Sequence, residues 1–245
     1  MMIFPTPRHR QAEIDVSKTT SPLIQMQGIG KVYRTGTHTL RALRSVELDL
    51  HKGEFVVLLG PAGSGKSTLL NILGGWERPT SGTVIFERRE LAKSSEAVLA
   101  NYRRRHVGFI VQSPKLVPQL TARENVALVT RLVDRPMPDW AALALVGLEK
   151  RGNFFPSQLT ASERYLVAVA RALAKRPKIL LCDQPTETLM LEPAIRVVKT
   201  LALASAILDL TTIVSTRSPK MKSIAERVVH LLDGRLIGNL RRHPG

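Results

Sequence analysis

Residues Gly60–Thr68 read GPAGSGKST and fit the pattern GxxxxGK[ST] at every constrained position. A loop of this kind holds phosphate. Gly60, Gly63 and Gly65 let the backbone wrap closely around an anion with its N–H groups turned inward, and Pro61, Ala62 and Ser64 complete the turn. The helix that follows adds partial positive charge at its N-terminus. Lys66 would reach the β- and γ-phosphates, Ser67 would offer a hydroxyl to Mg²⁺, and Thr68 closes the motif. A second candidate is the stretch ILLCDQ, where an apolar run ends in Asp183, an acid suited to the same Mg²⁺. The next residue, Gln184, is an amide at a place where an acid could activate water. Plainer readings exist, a glycine-rich turn for the loop and a generic strand-end aspartate for Asp183. The context of each favours the phosphate site.

That context is a set of buried strands. EFVVLLG (Glu54–Gly60) is a continuous apolar run, as expected of a strand covered on both faces of a parallel sheet. STLLNILGG after the loop has helical spacing and stops at glycines. HVGFIVQ (His106–Gln112), KILLCD and TTIVST read as further strands. ERYLVAVARALAKRP (Glu163–Pro177) reads as an amphipathic helix stopped by proline. Leu23–Leu50 alternates like antiparallel strands, and Asp233-Gly234 between apolar runs predicts a hairpin. Thr121–Gly152 is mostly helical in pattern, broken at Pro136 and Pro138. The expected fold class is α/β: a mostly parallel core sheet, an antiparallel β subdomain and an inserted α-helical subdomain. A single domain over 23–240 is expected, with the helical insert at about 112–170 and a loose tail over 1–22.

Composition bounds the rest. Hydrophobic residues make up 44% and charged residues 23% of 245, which describes a globular chain rather than a disordered one. No apolar run approaches the roughly 18–20 residues that a membrane-spanning helix needs, and the start is too weakly apolar for a signal peptide. The one cysteine, Cys182, cannot form an internal disulfide and sits in an apolar run, so it reads as a small core residue in a reducing compartment. The formal charge of +16 favours anionic partners: nucleotides, nucleic acid or an acidic membrane surface. An Arg-rich genome composition would produce the same excess. The densest basic run is Tyr102–His106.

Longer stretches carry a resemblance. KVYRTGTHTLRALRSVELDLHKGEFVVLLGPAGSGKSTLLNILGGWERPTSGTV and YRRRHVGFIVQSPKLVPQLTARENV resemble the ATP-binding subunit of ABC transporters, within it the branch of lipoprotein-release, macrolide-export and cell-division ATPases. The likeness runs from Leu23 to Ile237. It implies a P-loop NTPase of ABC type that works with ATP and Mg²⁺. Tyr33 then stands where an aromatic stacks on adenine, although ordinary strand packing is its plainer reading. Gln112 stands where a glutamine touches Mg²⁺ and links the ATP site to the membrane subunit. The resemblance also implies integral membrane permease subunits as partners and a peripheral position on the cytoplasmic face of the membrane; no helix-turn-helix, zinc spacing or RNA-binding aromatic motif is visible, so no nucleic acid is expected. It further implies a dimer with a second ATP-binding subunit, alike or different. Each ATP would lie between one chain's P-loop and the other's signature motif. The helical insert, shorter than usual between Val126 and Gly147, would dock on the permease.

Several positions depart from that family. Where LSGGQ is usual the chain has LTASE, so Ala161 and Ser162 replace glycines and Glu163 brings negative charge toward a phosphate site. Thr160-Ala161-Ser162-Glu163 also fits the capping box of a helix start, and this is the favoured reading. Gln184 replaces a glutamate that polarises water; it cannot accept a proton, though an amide can orient water. Met190 replaces an aspartate at a dimer contact. Arg217 replaces a histidine that faces the γ-phosphate; it can neutralise phosphate charge, or it can be a solvated surface cation. The expectation is a chain that binds ATP and hydrolyses it slowly or not at all. A fully working ATPase, completed on assembly with its membrane subunit, is one alternative. A nonenzymatic ATP-responsive scaffold or nucleic-acid-associated ABC protein is another.

Overall fold

The computed structural model describes residues 21–113, 115–185, 187 and 189–241. Most of the expected N-terminal tail lies outside them. The first described elements are two long antiparallel strands, β1 (Ile24–Thr35) and β2 (His38–Leu50), paired with Ile24 opposite Leu50 and Met26 opposite Leu48. Alternation on β2 puts Val46, Leu48 and Leu50 inward and the residues between them outward. β3 (Phe55–Leu59) is buried along its whole length and feeds the phosphate loop, after which α1 (Lys66–Leu73) begins. β4 (Ser81–Phe86) and β5 (Arg89–Glu90) complete a four-stranded sheet in the order β2-β1-β4-β5.

α2 (Glu96–His106) was not anticipated from the sequence. It absorbs the densest basic run: Arg103, Arg104, Arg105 and His106 form its last turn, where cations suit the helix dipole. Arg103 donates to Gly75 O at 2.7 Å, Arg104 to Asn101 at 3.0 Å, and Arg105 pairs with Asp134 at 3.4 Å. Three of the basic residues therefore have structural partners. The strand expected from His106 is correspondingly shorter: β6 runs only Val107–Ile110, and Gln112 lies beyond its end.

α3 (Ala122–Thr130) starts at a capping box of Thr121 and Glu124, and α4 (Asp139–Leu145) starts after Pro138, which sits at its N-cap. Asn125, 0% exposed, ties the preceding loop to α3 through Val117 N–H, Val117 O, Leu120 O and Thr121 O. α5 (Ala161–Ala174) begins two positions before the expected Glu163 because Thr160 caps it. Then come β7 (Ile179–Cys182), α6 (Leu191–Leu208), β8 (Thr211–Thr216), β9 (Arg227–Leu232) and β10 (Arg235–Arg241). The predicted hairpin is present: Asp233 and Gly234 turn at φ 46° and 74° between β9 and β10.

The central sheet has six strands in the order β10-β9-β3-β8-β7-β6, parallel except for β10 on its edge. Its two faces are filled by alternate residues. Val56 and Leu58 on β3 and Ile179 and Leu181 on β7 pack with α1 and the antiparallel sheet. Phe55, Val57 and Leu59, with Leu180 and Cys182, pack against α3, α4, α5 and α6. Burial on both sides is why these strands read as unbroken apolar runs. Cys182 is fully buried, and burial pushes its thiol well up, as expected of a core residue. Among the described residues no helix is long and apolar enough to cross a membrane.

Candidate nucleotide-binding site

Parallel pairing puts the C-terminal ends of the central strands side by side. Leu59 lies opposite Thr216, and Cys182 lies opposite both Val214 and Ile110. The chain therefore leaves the sheet at one edge as Gly60, Arg217, Asp183 and, past β6, Gln112. Ligands of open α/β sheets bind at this edge.

The phosphate loop is braced from behind. Gly60 N–H donates to Thr216 O at 3.2 Å, and Gly234 of the β9–β10 turn donates to Ser64 O at 3.1 Å. Packing is tight enough that a Cβ on Gly60 would lie 2.2 Å from Leu231 O. At Gly65, which caps α1 at φ 101°, it would lie 2.4 Å from Ala42 O. Pro61, Ala62 and Gly63 form the exposed crest. Lys66, 3% exposed, donates to Gly60 O at 2.8 Å, Pro61 O at 2.7 Å and Ser64 Oγ at 3.3 Å. These partners are neutral, so the ammonium carries charge that no hydrogen-bonded carboxylate balances. Burial lowers its pKa, the Asp183 charge opposes that shift, and the Arg217 charge adds to it. A buried cation ringed by neutral oxygens in a glycine cradle fits a polyphosphate.

Tyr33 on β1 is tied to the same loop. Its hydroxyl is hydrogen-bonded to Glu77 and approaches Thr68 Oγ1 at 3.3 Å, and Lys31 Nζ lies 5.0 Å from its ring centre. Glu77 also accepts from Asn71 at 2.9 Å and pairs with Lys31 at 3.4 Å. Burial pushes the Tyr33 phenol up, and Glu77 adds to the shift. Burial also pushes the Glu77 carboxyl upward, but its bonds to Tyr33, Asn71 and Lys31 outweigh that and hold it below its usual range. Sequence reasoning missed Glu77; nothing in its spacing marked it.

Asp183 Oδ1 accepts from Ser215 Oγ at 2.7 Å, and Ser215 Oγ accepts in turn from Gln184 N–H at 2.9 Å. Gln184 takes the left-handed backbone conformation, φ 47°. Ser215, also missed, thus fixes both the acid and the turn after it. Half-buried Ser67 and exposed Gln112 complete the expected Mg²⁺ donors. All three groups offer hard oxygens. Among the described residues no cluster of three His, Cys, Asp or Glu side chains is built to hold a metal. A single carboxylate with hydroxyl and amide oxygens suits an Mg²⁺ that takes its remaining ligands from phosphate and water.

This geometry has known counterparts. The ABC transporter family profile matches residues 43–187. The chain belongs to the ABC transporter family. It is 37% identical over 222 residues to the lipoprotein-releasing system ATP-binding protein LolD 2 of Caulobacter vibrioides, covering 89% of this chain and 97% of that one. It is 36% identical over 233 residues to the macrolide export ATP-binding/permease protein MacB 1/2 of Paracoccus denitrificans, covering 92% of this chain and 34% of that longer one. Its fold matches the ATP-binding cassette MJ0796, solved as a dimer in a post-hydrolysis state with ADP and Pi. The TM-score is 0.81 at 32% identity, over 91% of this chain and 100% of that one. The P-loop NTPase fold of ABC type and the transporter relationship expected from the sequence are thereby established.

Arg217 was expected to face phosphate or to be simply solvated. Instead it grips Glu187 with both ends of its guanidinium, Nε to Oε1 at 2.8 Å and Nη2 to Oε2. Glu187 N–H reaches back to Gln184 O at 3.4 Å, so this missed acid sits one turn past the amide. Its only sequence signal is being the sole acid of TETLM. Met190, also of that stretch, is 83% exposed.

Thr160 and Glu163 form a complete capping box at the start of α5. Glu163 N–H donates to Thr160 Oγ1 at 3.2 Å, and Thr160 N–H to Glu163 Oε2 at 2.8 Å. Ser162 Oγ lies 3.2 Å from the Thr160 hydroxyl, and Arg151 pairs with Glu163 at 3.0 Å. The Thr160 N–H, helped by the Thr160 hydroxyl and Arg151, holds the Glu163 carboxyl below its usual range against the opposing effect of burial. The helix-start geometry expected of Thr160, Ala161, Ser162 and Glu163 is present at the N-terminus of α5.

Proposed function

We propose that the cassette is an ATP-binding subunit that grips Mg-ATP firmly and hydrolyses it slowly or not at all. The observation that carries this reading is the contrast at one sheet edge. Lys66 lies buried in a complete phosphate cradle beside Asp183, while residue 184, next to that acid, is an amide. Gly60, Pro61, Ala62, Gly63, Ser64 and Gly65 supply the loop backbone, and Lys66 binds the outer phosphates. Ser67, Asp183 and Gln112 hold Mg²⁺, Thr68 and Tyr33 hold the nucleoside side, and the cation supplies charge neutralisation for the phosphates. Gln184 can orient water but cannot take its proton, and the family's water-activating acid is thus absent. Affinity uses groups that are present; transition-state stabilisation uses groups that are replaced.

The chain is read as one ATP-binding domain over 23–240 with a helical subdomain at about 112–170. It acts peripherally at the cytoplasmic face of a membrane. There nucleotide-driven pairing with a second ATP-binding subunit moves permease subunits. Support comes from MacB, whose name joins ATP-binding and permease parts in one protein, and from the dimeric state of MJ0796.

The test is to measure Mg-ATP affinity and phosphate release on the purified chain. The expected result is saturable binding with phosphate release far below one turnover per second, the low end of ordinary enzyme rates. Brisk turnover by the isolated chain overturns the weak-hydrolysis reading, and no affinity for Mg-ATP overturns the whole.

A further inference from the structure

Arg217 and Glu187 form an ion pair at the rim of the nucleotide site, unequal in exposure: the Arg217 side chain is 50% exposed and that of Glu187 11%. Arg217 leaves β8 at the residue after Thr216, whose carbonyl receives the N–H of Gly60. The guanidinium therefore starts from the strand end adjoining the phosphate loop. It is near enough to Lys66 for its charge to disfavour the ammonium. The backbone on either side of it is bridged by Ser218 N–H donating to Thr216 Oγ1 at 3.0 Å, and the half-exposed guanidinium lies at the surface. Glu187 comes from the end of the adjacent strand β7, in the turn that follows Gln184. Two cations thus converge on one anion site. One of them, Lys66, is hydrogen-bonded to neutral oxygens that leave its charge unbalanced, and the other is neutralised by an acid.

We propose that Glu187 is a latch on Arg217: it holds the guanidinium in the nucleotide-free cassette and surrenders it to the outermost phosphate of a bound nucleoside triphosphate. This rests on the nucleotide reading above. Arg217 is the specificity-determining cation and Glu187 its positioning residue. The loop's own N–H groups take the inner phosphates and Lys66 reaches the outer two, so a second cation on the neighbouring strand end adds at the outermost one. A guanidinium forks equally well onto carboxylate or phosphate, which makes the exchange a swap of like geometries. Nucleoside diphosphate has no such group to offer and leaves the pair closed. The latch thereby sets how strongly the site prefers triphosphate over diphosphate.

The experiment measures Mg-ATP and Mg-ADP affinity by calorimetric titration on the full chain, for wild type, Glu187→Gln, Arg217→Gln and the double variant. Freeing Arg217 should tighten ATP about fivefold, the upper end for a partly exposed but bidentate pair, and shift ADP less than about twofold. In the Arg217→Gln background the same Glu187→Gln change should have no effect on ATP. Glu187→Asp keeps the charge and should stay within about twofold of wild type; it also serves if Glu187→Gln fails to fold. A gain that persists without Arg217 overturns the latch, because Glu187 then acts only as a nearby negative charge. Unchanged or weaker ATP binding in Glu187→Gln overturns it as well, as does a marked change in Glu187→Asp. Wild type that binds no Mg-ATP overturns the nucleotide reading itself, a result distinct from binding that ignores Glu187.

Discussion

Gln184→Glu places a carboxylate at the end of β7 with almost no other change. Glutamine and glutamate are isosteric, both carry the same strain at φ 47°, and the bond from residue 184 to Ser215 uses only its backbone N–H. Fold cost is therefore small. The catalytic gain can be bounded. A positioned general base contributes about 10²–10⁴ in rate. Only this one group is restored, while Ala161 and Ser162 still stand in place of the family's glycines, so the low end applies: about 100-fold, or about 2.7 kcal/mol of barrier. Single-turnover phosphate release with enzyme in excess over Mg-ATP measures the step directly, and a parallel titration checks affinity. Gln184→Ala, as control, should leave the residual rate within about twofold, since the amide takes no proton. Equal ATP binding by Gln184→Glu with phosphate release no faster than wild type would refute the reasoning. The missing acid would then not be what limits hydrolysis.

Other expectations follow from the same geometry. Lys66→Met should weaken Mg-ATP binding by roughly 10–150-fold, the value of a charged hydrogen-bonding group, as read by titration; unchanged affinity would remove Lys66 from the site. Gly65→Ala must adopt φ 101° and meet Ala42 O, so chemical denaturation should show a loss of at least about 1–3 kcal/mol. Thr160→Val removes the capping hydroxyl of α5 and should cost about 1 kcal/mol, with ATP affinity of the isolated chain unchanged. The Glu163 carboxyl is depressed in the folded state, so its stabilisation is present above its unfolded value of 4.5 and is lost as pH falls through the lower folded value. The stability gap between wild type and Glu163→Gln should accordingly be full near neutral pH and close in acid; a gap that persists into acid would show that the charge is not what stabilises the cap.

Much of the molecule was legible in residue types and periods. The phosphate loop, the buried strands β3, β7 and β8, the Asp233-Gly234 hairpin and the α5 cap are local devices. Their chemistry depends on spacing along the chain, and spacing is what a sequence displays. α2 and α6 were less visible, because their burial is shared with distant strands rather than written as a clean local stripe. The strand at His106 was overextended because β6 pairs only with β7 and ends where that pairing ends.

By itself the sequence determined that a polyphosphate cradle exists, that an acid stands at a strand end near it, and that residues 160–163 favour capping a helix. Only the tertiary structure decided what each cation does. Lys66 turns onto loop carbonyls, Arg217 onto Glu187, and Tyr33 onto Glu77 and Thr68. These pairings join residues from separate elements, brought together by the parallel register of the sheet. Charge pairing acts through space and leaves no period along the chain.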